Sequence, residues 1–169
     1  MHATLADCHA SVQEAVKRAL EWIGRGLCRR WPGDALRDYS TALDILLTIP
    51  NEVNRRVLLP YRMLALATLN EQSMIHPAAV CQAYERRSVV VHEGRVDAEA
   101  QPTTHMRSAA RDCVGWLAKF ASSAPSEDHA TLLTALDTPN GRAAAINWLE
   151  RFPDPWSQHL VRGITNLRK

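Results

Sequence analysis

The sequence has few of the residues that small disulfide-rich or metal-stabilised domains depend on. It contains only four cysteines in 169 residues: Cys8, Cys28, Cys81 and Cys113. No two of them have the close spacing of a zinc or redox motif. A chain of this length buries roughly 70% of the surface that its unfolded form exposes, so a hydrophobic core is sufficient. We therefore interpret the cysteines as structural thiols in a reducing compartment.

Long apolar segments are also absent. The most apolar stretch, 57–69, is interrupted by Pro60 and Arg62, whereas a membrane-spanning helix needs about 20 apolar residues. Residues 1–8 contain Asp7 and lack the apolar segment of a secretory signal. The sequence therefore predicts a cytoplasmic protein that makes no contact with a membrane.

Motifs that bind phosphate, metal ions or catalytic nucleophiles are lacking as well. Gly24-Arg25-Gly26 is the only GxG pattern, and it follows a predicted helix instead of a strand. None of the seven histidines pairs with another at the spacing that places two imidazoles on one side of a helix. There is no GxSxG sequence. We predict no cofactor, no metal site and no catalytic residue. The protein could still be an enzyme if its active site were assembled from residues that are distant in the sequence.

What the chain does contain is helical periodicity. Apolar residues recur at intervals of three or four along most of its length. In the first helix, the predicted inward positions are Val12, Val16, Leu20, Ile23, Leu27 and Trp31. Turns marked by prolines, such as Pro139 and Pro155, separate the helices, and short connections favour antiparallel neighbours. We expect an all-α fold, a bundle of about seven helices that forms a single domain over 1–169.

One segment departs from this periodicity. Ser88 is followed by three valines, and Glu93-Gly94 is compatible with a turn, so the pattern predicts a short β-hairpin near 88–96. The polar residues that follow, 97–103, are typical of a loop. We therefore expect two packed sub-halves, 1–87 and 104–169, joined by a loop or hairpin segment at 88–103.

A protein partner is the function that the composition favours. Five tryptophans beside two phenylalanines is a high proportion, and tryptophan is enriched at interface hot spots. Trp22 lies one position from the first apolar stripe, and Trp156 lies at a predicted helix start where full burial is less expected. Val89 and Val91 can pair with a strand of another chain. These four residues predict a non-enzymatic adaptor, inhibitor or small subunit, and a homo-oligomer is also open.

Clusters of arginine suggest an alternative function, an accessory subunit that binds nucleic acid. Arginine contributes most of the 20 basic residues, and its guanidinium binds phosphate with two hydrogen bonds. The predicted phosphate contacts are Arg25, Arg29, Arg30, Arg55, Arg56, Arg62, Arg86 and Arg87. Acidic residues accompany each cluster, so an ordinary protein surface with balanced charges would contain the same number of arginines. Phosphate binding requires the arginines to converge on a surface free of acids.

Overall fold

The computed structural model describes residues 4–70, 77–93 and 100–167. In these ranges the chain forms a short 3-10 helix, Leu5–Asp7, eight α-helices and no strand. The helices are α1 (Ala10–Leu27), α2 (Pro32–Leu47), α3 (Arg55–Leu69), α4 (Pro77–Glu93), α5 (Ala100–Ser122), α6 (His129–Leu136), α7 (Pro139–Leu149) and α8 (Pro155–Asn166). The all-α prediction is confirmed, and the expected seven helices are close to the eight observed. Within the same ranges, no helix combines the length and apolarity needed to cross a membrane.

Local signals define the starts of the last two helices. Each begins with a proline, whose missing N–H is not needed in the first turn. The Thr138 hydroxyl accepts a hydrogen bond from the Gly141 N–H at 3.0 Å. One Asp154 carboxylate oxygen accepts bonds from the N–H groups of Trp156 and Ser157 at 3.0 and 2.9 Å. These side chains satisfy N–H groups that have no partner inside a helix.

The predicted hairpin near 88–96 is wrong over 88–93, because these residues continue α4 to Glu93. Preferences for strand are weak and depend on context, whereas a helix that has already formed gains one backbone hydrogen bond with each added residue. The backbone of residues 88–93 therefore forms the hydrogen bonds of α4, and Val89 and Val91 do not lie in a strand. Their side chains and residues 94–99 lie outside the described residues. Residues 100–103, predicted as loop, begin α5.

The main core lies where α1, α2 and α5 pack together. Leu36 and Leu43 of α2 and Cys113 and Leu117 of α5 are fully buried in it. Residues on both sides of the 88–103 segment thus share one core. The division into sub-halves stays a prediction.

A second core joins α3, α7 and α8. Tyr61 of α3, Leu149 of α7 and Ile164 of α8 are buried there. The Tyr61 hydroxyl donates a hydrogen bond of 2.6 Å to the Leu136 carbonyl oxygen at the end of α6. Burial raises the pKa of the Tyr61 phenol, which keeps this donor protonated.

Helix α1 is rotated relative to the sequence-based expectation. Its buried residues are Val12, Ala15, Val16, Ala19, Ile23 and Gly26. Leu20, Leu27 and Trp31, predicted to face inward, are 51%, 61% and 53% exposed, and Trp31 lies beyond the end of α1. The reason is the close approach of α2: a Cβ atom on Gly26 would lie 2.5 Å from Cε1 of Tyr39. Gly26 therefore faces α2, and the two leucines are left at the border with solvent.

His129 carries a partly buried imidazole and links three helices. Its Nε2 lies 2.9 Å from the Leu46 carbonyl oxygen of α2, and its backbone N–H donates to the Ser11 hydroxyl of α1 at 2.9 Å. Burial lowers the pKa of His129, because a low-dielectric environment disfavours the imidazolium, and the contact with Leu46 acts in the opposite direction.

We expect the free energy of unfolding to decrease as the pH falls below the ordinary histidine pKa of about 6.5. The unfolded chain then binds a proton at His129 that the folded chain does not, so protonation favours unfolding. The loss levels off below the folded pKa. Urea denaturation at pH 7.5, 6.5 and 5.5 measures this dependence. The variant His129→Gln should be less stable at pH 7.5 but less sensitive to pH, and an equally steep dependence in the variant would contradict the assignment.

Candidate functional site

Arg62, one of the predicted phosphate contacts, lies in the protein interior with 1% of its side chain exposed. Its Nη2 lies 2.7 Å from both Glu52 Oε1 and Asp137 Oδ2, and its Nη1 lies 2.8 Å from Glu52 Oε2. Nη1 also donates to the Leu47 carbonyl oxygen at 2.9 Å. Burial lowers the pKa of this guanidinium, but the hydrogen bonds that it donates to both carboxylates, together with their negative charges, outweigh burial and raise it. Arg62 is therefore inaccessible to phosphate and stabilises the fold.

Other members of the predicted arginine set are also paired with acids. The ion pairs are Arg29 with Asp38 at 2.6 Å, Arg56 with Glu85 at 3.2 Å and Arg87 with Asp44 at 3.0 Å. Arg55 donates from Nε to the Glu52 carbonyl oxygen at 3.2 Å, and Arg86 is half-buried. The set therefore does not form one surface free of acids.

Arg25 and Arg30 contact aromatic rings, as Arg87 does with the Tyr84 ring at 5.4 Å. The guanidinium carbon of Arg25 lies 4.6 Å from the centre of the Trp22 ring, and that of Arg30 lies 5.3 Å from the centre of the Trp31 ring. These are cation–π distances. Within the described ranges, neither arginine forms an ion pair with a carboxylate. These two arginines therefore combine a ring contact with a guanidinium that has no carboxylate partner among the described residues.

The two tryptophans predicted as partner contacts are only half exposed. Trp22 packs against the main core, and Trp156 packs against the second core. The Trp156 ring also meets His159 edge-on, with 6.4 Å between the ring centres. Neither ring projects freely from the surface.

Leu20 and Leu27, the exposed leucines of α1, lie on one side of the helix. We define the α1 stripe as Gln13, Lys17, Leu20, Gly24 and Leu27. Successive members are four, three, four and three residues apart, so they lie on one side of the helix. This is the spacing of residues that form the seam between two packed helices. Trp22 is two positions from Leu20, about 200° around the axis, and does not belong to the stripe.

Gly24 lies in the middle of the α1 stripe. A Cβ atom at this position would meet no atom of the described residues within 4 Å, in contrast to Gly26. Glycine inside an exposed helix costs about 1 kcal/mol relative to alanine. The fold of this chain gives no packing reason for glycine at position 24, whereas the backbone of a docked helix can approach closely there.

The stripe continues into a shallow groove beside the first turn of the chain. The groove has a volume of about 460 Å³ and is lined by Leu5, Gln13, Val16, Lys17, Leu20 and Glu21. Its floor is apolar and its edges carry one cation and one anion. The groove and the two exposed leucines together provide apolar patches on one side of α1, with Gln13 and Lys17 beside them.

The chain matches no protein-family model, no curated protein and no solved structure. Helical bundles carry out many unrelated functions, so the architecture alone does not assign one.

Three of the four cysteines have no activated thiol, and the fourth, Cys28, is exposed. Cys8, Cys81 and Cys113 are buried, and burial raises the pKa of the Cys81 thiol to about 12. The thiolate is the nucleophilic form, so these thiols are not activated. In the part of the chain that the structure describes, no three His, Cys, Asp or Glu side chains form a metal-binding group.

Sequence reasoning missed the α1 stripe because it assigned Leu20 and Leu27 to the core. The signal that identifies the buried side is the series of small residues Ala15, Ala19 and Gly26, spaced by four and seven. Small residues at such spacing allow two helices to approach closely, which leaves Leu20 and Leu27 outside the contact.

Proposed function

We propose that the protein acts without catalysis, as an adaptor, inhibitor or small subunit that packs a helix of another protein onto the α1 stripe. The observation that carries the proposal is the exposure of Leu20 and Leu27 on either side of Gly24. Single exposed apolar residues are normal on protein surfaces. Two leucines at seam spacing, with a glycine that the fold does not require between them, indicate a docked helix.

The partner helix is expected to carry aliphatic residues at intervals of three and four, because helix-in-groove recognition uses anchors at this spacing. Covering the exposed half of Leu20 and Leu27 contributes roughly 1 kcal/mol for each residue. Lys17 lies on the stripe itself, and an acidic residue on the partner would face it. The partner is thus an amphipathic helix with an acidic residue beside its apolar seam.

The test begins with a photo-crosslinking amino acid placed at position 27, in cells that produce the protein naturally. We expect one adduct with a different protein, and none from position 162, an exposed site on α8. The dissociation constant of the purified partner should rise at least about tenfold in Leu20→Glu and in Leu27→Glu. The control Gln158→Glu introduces the same charge on α8 and should leave the affinity unchanged. Thermal unfolding of both leucine variants should match the parent, because the two leucines are already exposed.

Other adducts would contradict the proposal. A nucleic acid adduct would favour phosphate binding through Arg25 and Arg30. An adduct containing two copies of this chain would indicate that the α1 stripe mediates self-association instead of binding a different protein. An unchanged affinity in Leu20→Glu would remove the α1 stripe from the interface.

A further inference from the structure

A second surface feature, formed by other helices, is a cleft between α3 and α7. Phe120 of α5 and Leu136 of α6 contribute to its wall. The cleft has a volume of about 670 Å³, which lies within the roughly 300–1,000 Å³ of typical small-molecule sites. It is therefore large enough to enclose most of an organic molecule of moderate size.

The wall of the cleft is apolar except at a few positions. Leu64 of α3 and Trp148 of α7 supply much of the apolar surface. Among the described residues of the wall, Arg151 is the only charged one, and it forms no ion pair within those ranges. The side chain of Asn147 likewise makes no hydrogen bond there. The cleft thus combines an apolar interior with one unpaired cation and one amide.

Hydrogen bonds hold one end of the cleft in place. The Gly141 N–H donates to the Thr138 hydroxyl, and the Tyr61 hydroxyl donates to the Leu136 carbonyl oxygen. The backbone at this end of the cleft is also closely packed. A Cβ atom on Gly141 would lie 3.0 Å from the Thr138 hydroxyl, 3.1 Å from the Tyr61 hydroxyl and 3.3 Å from the Leu136 carbonyl oxygen. A wall held in this way is formed before a ligand arrives, which lowers the entropic cost of binding.

We propose that this cleft binds a small amphipathic carboxylate, with its apolar body against Leu64 and Trp148 and its carboxylate on Arg151. An arginine fork fits the two oxygens of a carboxylate. A wholly apolar ligand would gain nothing from the charge of Arg151 or the amide of Asn147. A dianionic head group such as a phosphate monoester would need more positive charge than the single cation of the described wall supplies.

The experiment titrates dodecanoate into the full chain by isothermal calorimetry, beside dodecanol and dodecyltrimethylammonium, which share its chain length. We expect saturable binding of one dodecanoate, and binding at least about tenfold weaker for the other two compounds. Arg151→Gln should weaken dodecanoate about tenfold and leave dodecanol unchanged, because only the charged contact is lost. Arg162→Gln, at an exposed arginine of α8 outside the cleft, is the matched control.

The apolar part of the site is tested by filling it. Ala144 lines the cleft and is exposed, whereas its neighbour Ala143 is exposed but does not line it. Ala144→Phe should weaken both dodecanoate and dodecanol at least about tenfold, and Ala143→Phe should weaken neither. Ala135→Phe, at another exposed lining position, repeats the test if Ala144→Phe does not fold.

Several results would overturn the proposal. The first is the absence of saturable binding, and the second is equal binding of dodecyltrimethylammonium and dodecanoate. Unchanged affinity in Ala144→Phe would place the ligand elsewhere. A change in the molecular mass of the particle caused by Ala144→Phe, measured by light scattering, would assign the cleft to a protein contact instead. None of these results bears on the α1 stripe, because its members do not line the cleft.

Discussion

The variant Arg62→Met is expected to lose about 3–5 kcal/mol of the free energy of unfolding, the loss typical of a buried ion pair that is deprived of one partner. Arg62 is 1% exposed, and Glu52 and Asp137 are 15% and 16% exposed. Removal of the guanidinium leaves two carboxylates close together with little access to water. The carbonyl oxygen of Leu47 also loses its donor.

Urea denaturation measures this loss of stability. Three further variants show which interaction of Arg62 causes it. Arg62→Lys keeps the charge but loses the planar fork, so we expect a smaller loss. Adding Glu52→Gln and Asp137→Asn to Arg62→Met should restore part of the stability, because the repulsion between the carboxylates disappears. Arg56→Met removes an ion pair whose arginine is 60% exposed, and its effect should stay below about 1 kcal/mol. Equal effects of Arg62→Met and Arg56→Met would contradict the central role of Arg62.

The same chemical change at two glycines of α1 is expected to have opposite effects on stability. Gly26→Ala should destabilise the protein by about 1–3 kcal/mol, because the new methyl group would overlap the ring of Tyr39. Tyr39 is 3% exposed, so its ring has little space to move. Gly24→Ala meets no described atom within 4 Å and should stabilise the helix by up to about 1 kcal/mol.

Thermal and urea denaturation of both alanine variants and the parent protein decide this prediction. The two positions lie in one helix and receive one identical methyl group, so each variant is the control for the other. Two stabilised variants would mean that α1 and α2 do not approach as closely as the structure shows. Gly24→Ala also tests the proposed function, since it should weaken partner binding while it raises stability.

Local interactions explain why much of the helical architecture follows from the sequence alone. The starts of α7 and α8 depend on Thr138 and Asp154 and on the prolines that follow them, all within one turn of one another. Such interactions operate between neighbours in the chain, so the pattern of residues determines them. The valines after Ser88 misled the interpretation because their preference for strand is weak beside the continuation of α4.

The candidate sites depend on contacts between distant residues, which only the tertiary structure decided. Arg62 binds Asp137, 75 positions along the chain, and the sequence shows an arginine without showing its partner. The periodicity of α1 allows either of two adjoining sides to face inward, and the close contact of Gly26 with Tyr39 selects one of them. The sequence by itself determined the helical class and the local helix starts, because these follow from neighbouring residues. Tertiary packing decided which leucines of α1 stay exposed, which arginines are neutralised and where a cleft remains, because these depend on how the helices meet.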